Sequence, residues 1–174
     1  MSTLIKAKLK ALAGEGKDIE LMFNPEDISF TRNVKWEAVQ GSKGSVSLLP
    51  KINFSGVEPY KFTLKQLLFD TYESRESVMT KYVNVIKEGV ETMGRRTDAR
   101  PPVYLFMWGE TYFYCVITSL TYKLTMFLAN GTPVRAIVDI ALQEVEQNNL
   151  PGTKKSASTG ENRSTGTAPM RSLG

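Results

Sequence analysis

From Val103 to Glu144 the chain alternates its side chains with a period of two, and this pattern commits the stretch to β-sheet. Val103-Tyr-Leu-Phe-Met-Trp108 is aromatic and β-branched, and Gly109-Glu110 puts glycine first in a two-residue type II′ turn. In the return segment, Thr111 to Ser119, Tyr112, Tyr114 and Val116 face away from Phe113, Cys115 and Ile117. Apolar groups on both faces predict a strand covered from both sides, as in a closed barrel or at a subunit contact. A third strand is expected from Leu120 to Phe127, with Tyr122, Leu124 and Met126 opposite Lys123 and Thr125. Asn130-Gly131 marks the next reversal, where glycine supplies a positive φ. Val134, Ala136, Val138, Ile140 and Leu142 line one face of the last of four consecutive strands, with Arg135, Asp139 and Gln143 opposite.

A length of 174 residues suits a single folded body able to bury a core without disulfides or metals. The net charge of +4 is unevenly placed, because Lys154, Lys155, Arg163 and Arg171 follow Leu150 against Glu161 alone. The body is therefore close to neutral, which argues against a nucleic-acid face. Cys115, the single cysteine, sits within a strand pattern and reads as a small buried hydrophobe, in keeping with a reducing compartment. Near the N-terminus Lys6, Lys8 and Lys10 interrupt Ile5, Ala7, Leu9 and Ala11. That interleaving rules out a secretory apolar core and fits an amphipathic edge strand with its lysines in water. No run reaches the roughly 20 apolar residues of a membrane helix, so no membrane insertion is expected.

Between these ends, Ile19 to Phe23 predicts a strand, Asn24-Pro25-Glu26-Asp27 a turn, and Ile28 to Trp36 a longer strand. Arg32 falls on the apolar face of that strand, as at a sheet end or a charge pair. Val39 to Gly56 loses the pattern, with three glycines and Pro50, yet it holds Val46, Leu48, Leu49, Ile52 and Phe54. A freely solvated loop rarely carries so many large apolar groups, so part of this stretch is expected to cover something. A strand is expected from Tyr60 to Phe69. One helix follows, with Val78, Tyr82, Val85, Ile86, Val90 and Met93 at helical spacing, Ser74 as N-cap and Gly94 as terminator. Gly89 lies inside that helix at a cost of about 1 kcal/mol relative to alanine. Residues 1–149 thus form the body, and 150–174 a polar, basic tail too poor in apolar groups to order alone.

Catalytic chemistry finds few carriers. The chain has no histidine, which removes the His-dependent triads and the His-ligated metal sites. No phosphate-binding glycine loop or dinucleotide fingerprint is present, and no cofactor is implied. Asp70, Glu73, Glu110, Asp139 and Glu144 remain, at positions that read as strand ends, a helix entry and a hairpin tip. Trp36 and Trp108 lie on strand faces, where packing or interface roles outweigh a sugar platform.

Five blocks carry a resemblance. They are Leu21-Met-Phe-Asn-Pro25 followed by Trp36, Tyr60-Lys-Phe-Thr-Leu64 running into Phe69-Asp-Thr-Tyr72, Phe106-Met-Trp-Gly109, Val116-Ile-Thr-Ser119, and Phe127-Leu-Ala-Asn-Gly-Thr-Pro-Val-Arg-Ala136. In this order and spacing, from Leu4 to about Glu146, the chain resembles the contractile injection system tube protein family. The resemblance implies a mainly β protein with one helix, an antiparallel β-barrel of the phage tail-tube type. It implies structural roles for Asn24, Pro25, Trp36, Trp108, Gly109, Gly131, Pro133 and Arg135. It also implies a hexameric baseplate ring that links a spike hub protein to inner-tube proteins, among other baseplate components, and initiates the tube. Such particles assemble in the bacterial cytoplasm. Many similar proteins carry a C-terminal LysM module, which residues 154–174 are too short and too polar to form. The repeating inner-tube subunit, a peptidoglycan-associated adaptor and a small-ligand barrel stand as alternatives. Val46, Leu48, Leu49, Ile52 and Phe54 are the expected contact to the next layer.

Overall fold

The computed structural model describes residues 4–12, 16–38, 51–92 and 100–146. Its strands are β1 (Lys8–Ala11), β2 (Ile19–Glu20), β3 (Ile28–Thr31), β4 (Val34–Ala38), β5 (Ile52–Val57), β6 (Lys61–Asp70), β7 (Val103–Trp108), β8 (Thr111–Phe127) and β9 (Pro133–Glu144). Seven of them form one antiparallel sheet in the order β2-β1-β7-β8-β9-β6-β3, strongly curled into a half-barrel. The other two, β4 and β5, pair only with each other. Mainly β architecture of the barrel type, with one helix, is therefore what the chain adopts.

The curl originates around β9. Val134, Ala136, Val138, Ile140 and Leu142 are all buried, so β9 keeps an unbroken period of two. Both of its neighbours slip by one residue against it. In β6 the register shifts between Leu64 and Leu67, and the buried positions change from Phe62 and Leu64 to Leu67 and Phe69. In β8 it shifts between Ile117 and Ser119, and the inward positions change from Cys115 and Ile117 to Leu120 and Leu124. These are β-bulges, which bend a strand and sharpen its twist. Side chains satisfy the backbone groups they free. The Gln66 N–H, on a residue held at φ 53°, donates to Asp139 Oδ1 at 2.7 Å, and Thr118 Oγ1 donates to the Ala141 carbonyl at 3.2 Å.

Inside the curl, Phe62 stacks against Phe30, Phe106 and Phe113 at centroid distances of 5.4, 5.4 and 5.8 Å. These rings join β3 and β6 to β7 and β8 across the interior, so the core itself holds the sheet curved. The seam between the two ends is stitched by the Leu21-Met-Phe-Asn-Pro25 block. Asn24 Oδ1 accepts the Ala7 N–H and its Nδ2 donates to the Ile5 carbonyl, both at 2.9 Å, in the manner of a strand partner. The Asp70 N–H reaches Met22 Sδ at 3.2 Å from the other side.

The hairpin turns at Gly109 and Gly131 follow the sequence expectation, whereas Asn24-Pro25-Glu26-Asp27, expected as a turn, is irregular chain whose Asn24 bonds residues 5 and 7. Gly109 has φ 61° while Glu110 stays at negative φ, which is the type II′ arrangement, and Gly131 has φ 84°. Several element readings change. The two strands expected between Thr111 and Phe127 are one, because the phase change at Thr118 is a bulge and not a turn. The strand expected from Ile28 to Trp36 is two, broken at Arg32-Asn33 where the chain leaves the half-barrel for the β4–β5 pair. Arg32 marks a sheet end, with its guanidinium 4.6 Å from the Tyr60 ring centre. β1 is not an edge strand, since it lies between β2 and β7, though Lys8 and Lys10 are exposed as expected. Ile52 to Val57 of the patternless stretch is a strand, and residues 39–50 lie outside the described residues, as does the tail from 147.

The helix, α1, runs as a π-turn over Met79–Val83 and as α-helix over Asn84–Glu88. Val78, Val83 and Ile86 are buried in the common core. Ser74 does not cap it, because its Oγ bonds the Thr71 carbonyl at 3.2 Å and the N-cap is Val78. Gly89 is the C-cap rather than an interior residue. A Cβ there would lie 2.8 Å from Ile117 Cδ1 and 2.9 Å from the buried Tyr104 hydroxyl. The glycine is therefore kept for close approach, not merely tolerated. Gly89→Ala is expected to destabilise the subunit by about 1–3 kcal/mol through overpacking. Thermal melting checks this, and a melting point equal to or above the parent's would contradict it.

Candidate assembly surface

The β4–β5 ribbon is where the chain departs most from ordinary core-forming behaviour. Val34 pairs with Val57, Trp36 with Phe54 and Ala38 with Ile52. Residues directly opposite one another share a face, as do residues two apart along a strand. The shift between Lys35 and Trp36, where Ser55 is the extra residue, keeps Val57 in phase with Phe54. All six side chains thus lie on one face. Lys35, Glu37, Asn53 and Ser55 take the other, where Ser55 Oγ donates to Glu37 Oε1 at 2.7 Å.

The ribbon is amphipathic, but nothing among the described residues covers its apolar side. Trp36 and Phe54 are 56% and 58% exposed although their rings pack edge to face at 5.7 Å. Ile52, Val34 and Val57 are exposed as well. A two-stranded ribbon is marginal by itself in water, and a continuous apolar patch of this kind marks an interaction site.

A second, smaller apolar area lies at the opening of β1. Leu4 and Ile5 are exposed beside Met107 and Gly109, with Tyr112 exposed on β8. The outer face of β8, expected to be covered, is open at Tyr112, while Tyr114 and Val116 are half-buried.

The candidate residues of the sequence fall into separate places. Ile52 and Phe54 stand on the ribbon face, whereas Val46, Leu48 and Leu49 lie outside the described residues. Trp36, expected at the end of the strand that begins at Ile28, is on the ribbon instead. Asn24 sits in the seam with Pro25 buried beside it. Trp108 packs half-buried against the core, next to the turn at Gly109. Gly131 and Pro133 form the β8–β9 turn and its exit, where the Gly131 N–H donates to the Leu128 carbonyl at 2.9 Å. Arg135 crosses from β9 to Asp70 on β6, with Nε to Oδ2 at 2.8 Å. The Tyr72 N–H, and then Arg135, hold the Asp70 carboxyl below the usual range. Val57 escaped notice in the sequence, because a lone valine after Gly56 gives no pattern.

Groups with intrinsic reactivity are shielded. Cys115 is buried, and burial pushes its thiol up to about 12. Tyr104 is pushed up to about 12 as well, by burial and then by the charge of Glu88. No helix among the described residues is long and apolar enough to cross a membrane.

The family model described as contractile injection system tube protein matches residues 3–151. No curated protein matches the chain.

The exposure of the ribbon face separates folding from assembly. Trp36→Ser with Phe54→Ser is expected to leave the melting point of the half-barrel nearly unchanged, whereas Phe62→Ala in the core should cost about 3–5 kcal/mol. Melting by circular dichroism checks both. A large loss in the double-serine chain would place the ribbon face in the subunit core.

Proposed function

The chain belongs to the contractile injection system tube protein family, and from that premise we propose that it forms the hexameric baseplate ring on which the inner tube starts. Proteins of this family are structural, not enzymatic, and they assemble with like subunits and tube machinery as part of a contractile injection particle. In the proposed arrangement one rim of the ring meets the spike hub protein and the other meets the first layer of inner-tube protein. Sheath contraction then drives hub, ring and tube forward together. Assembly takes place in the bacterial cytoplasm, without nucleic acid and without direct membrane insertion. Residues 1–149 act as the ring-forming body and 150–174 as a polar, basic extension.

The observation that carries this reading is the uncovered apolar face of the β4–β5 ribbon, standing on a body whose core is already complete. Ile52 and Phe54, with Val46, Leu48 and Leu49 in the preceding segment, make the contact to the adjacent layer. Covering each such side chain contributes about 1.5–3 kcal/mol, enough in sum to offset the ordering of the segment. The repeating inner-tube subunit is the second reading, since it belongs to the same family.

Copy number in purified particles separates them. One ring of copies per particle, with hubs but no tubes when the chain is deleted, is expected. Copies that scale with tube length would make the chain the repeating subunit.

A further inference from the structure

Among the described residues the ribbon joins the half-barrel through two chain crossings, Arg32-Asn33 and Glu58-Pro59-Tyr60, and one carboxylate ties them together. We propose that Glu58 is a clamp that fixes the angle of the β4–β5 ribbon on the body, holding its apolar face ready for docking. This inference rests on the reading of the ribbon as the docking element.

Glu58 bonds in every direction that matters for such a joint. Its N–H donates to the Asn33 carbonyl at 2.9 Å, which links the two crossings. Its own carbonyl accepts Arg32 Nε at 3.0 Å. Its carboxylate accepts Asn33 Nδ2 at 3.2 Å and pairs with Lys35 of the ribbon at 3.4 Å and Lys61 of the body at 3.6 Å. A cation on the ribbon and a cation on the body thus share one anion.

The body side of the joint is anchored in turn. The Arg32 guanidinium lies over the Tyr60 ring, the Tyr60 N–H donates to Glu144 Oε2 at 3.2 Å, and the Glu144 N–H donates to the Tyr60 carbonyl at 2.8 Å. Asn33, then Lys35 and Lys61, hold the Glu58 carboxyl below its ordinary range. Each of these contacts is weak alone at a partly exposed site. Their convergence on one residue opposes a swing of the ribbon about these two crossings. A ribbon already held at its docking angle loses less freedom when it binds.

A Trp108→Phe chain keeps Trp36 as its one tryptophan, and time-resolved anisotropy of Trp36 then follows the ribbon directly. Glu58→Ala is expected to add a nanosecond segmental motion at Trp36 and to weaken docking onto the adjacent layer about tenfold, with the melting point kept. Glu58→Gln keeps an acceptor for Asn33 but loses both ion pairs, and should fall between. Unchanged Trp36 motion in both variants would overturn the clamp. If Glu58→Ala also lowers the melting point, Lys35→Ala decides, because it removes a contact of the ribbon alone: added Trp36 motion supports the clamp and unchanged motion overturns it. Should Trp36→Ser with Phe54→Ser leave docking intact, the docking reading fails. Should that pair abolish docking while Glu58→Ala changes neither Trp36 motion nor docking, the clamp alone fails.

Discussion

The unbroken alternation of β9, set between two strands that each slip by one residue against it, is the constraint on which the rest of the fold depends. With the core positions of β9 fixed from Val134 to Leu142, the shifts at Gln66 and Thr118 turn its neighbours without moving their apolar groups out of the core. The sheet is obliged to curl, and the Phe30, Phe62, Phe106 and Phe113 rings then meet across its interior. Only because the sheet curls does the chain leaving β2 come close enough to β6 for the Asp70 N–H to reach Met22 Sδ, while Asn24 extends the pairing with the start of β1. Bulges placed this way act as built features of the sheet rather than as defects.

A half-barrel closed in this manner satisfies its own core and leaves the β4–β5 ribbon outside it. Among the described residues two sets of apolar side chains have different surroundings. One set, centred on Phe62, Phe69 and Phe106, is fully buried and specifies the subunit. The other set, Val34, Trp36, Ile52, Phe54 and Val57, is exposed in the subunit and would contribute most of its stabilisation if a neighbour covered it. Buried thiol and phenol groups with raised pKa belong to the first set and serve packing, which agrees with a structural family.

How much of this was legible in the sequence depended on whether the signal was local. The β9 face, the Gly109 turn and the Gly131 turn are readable because period two and positive φ leave direct marks on residue choice. The Thr118 bulge reads as a strand boundary in the sequence, since a bulge and a turn both reverse the parity of the apolar positions. Arg32-Asn33 carries no Gly or Pro, so the break that sends Trp36 onto the ribbon looked like uninterrupted strand. Ile52 and Phe54 are too apolar for a solvated loop, but Gly44, Pro50 and Gly56 around them mask the strand pattern. Glu58 could not be found at all, because its partners Asn33, Lys35 and Lys61 come together only through the fold.

The central claim is that assembly covers the apolar face of the ribbon. Hydroxyl-radical footprinting of Trp36 and Phe54, in the free subunit and in the native particle, tests it most directly. Both side chains should oxidise readily in the free subunit and be strongly protected in the particle. Equal oxidation of Trp36 and Phe54 in the two states would contradict the account.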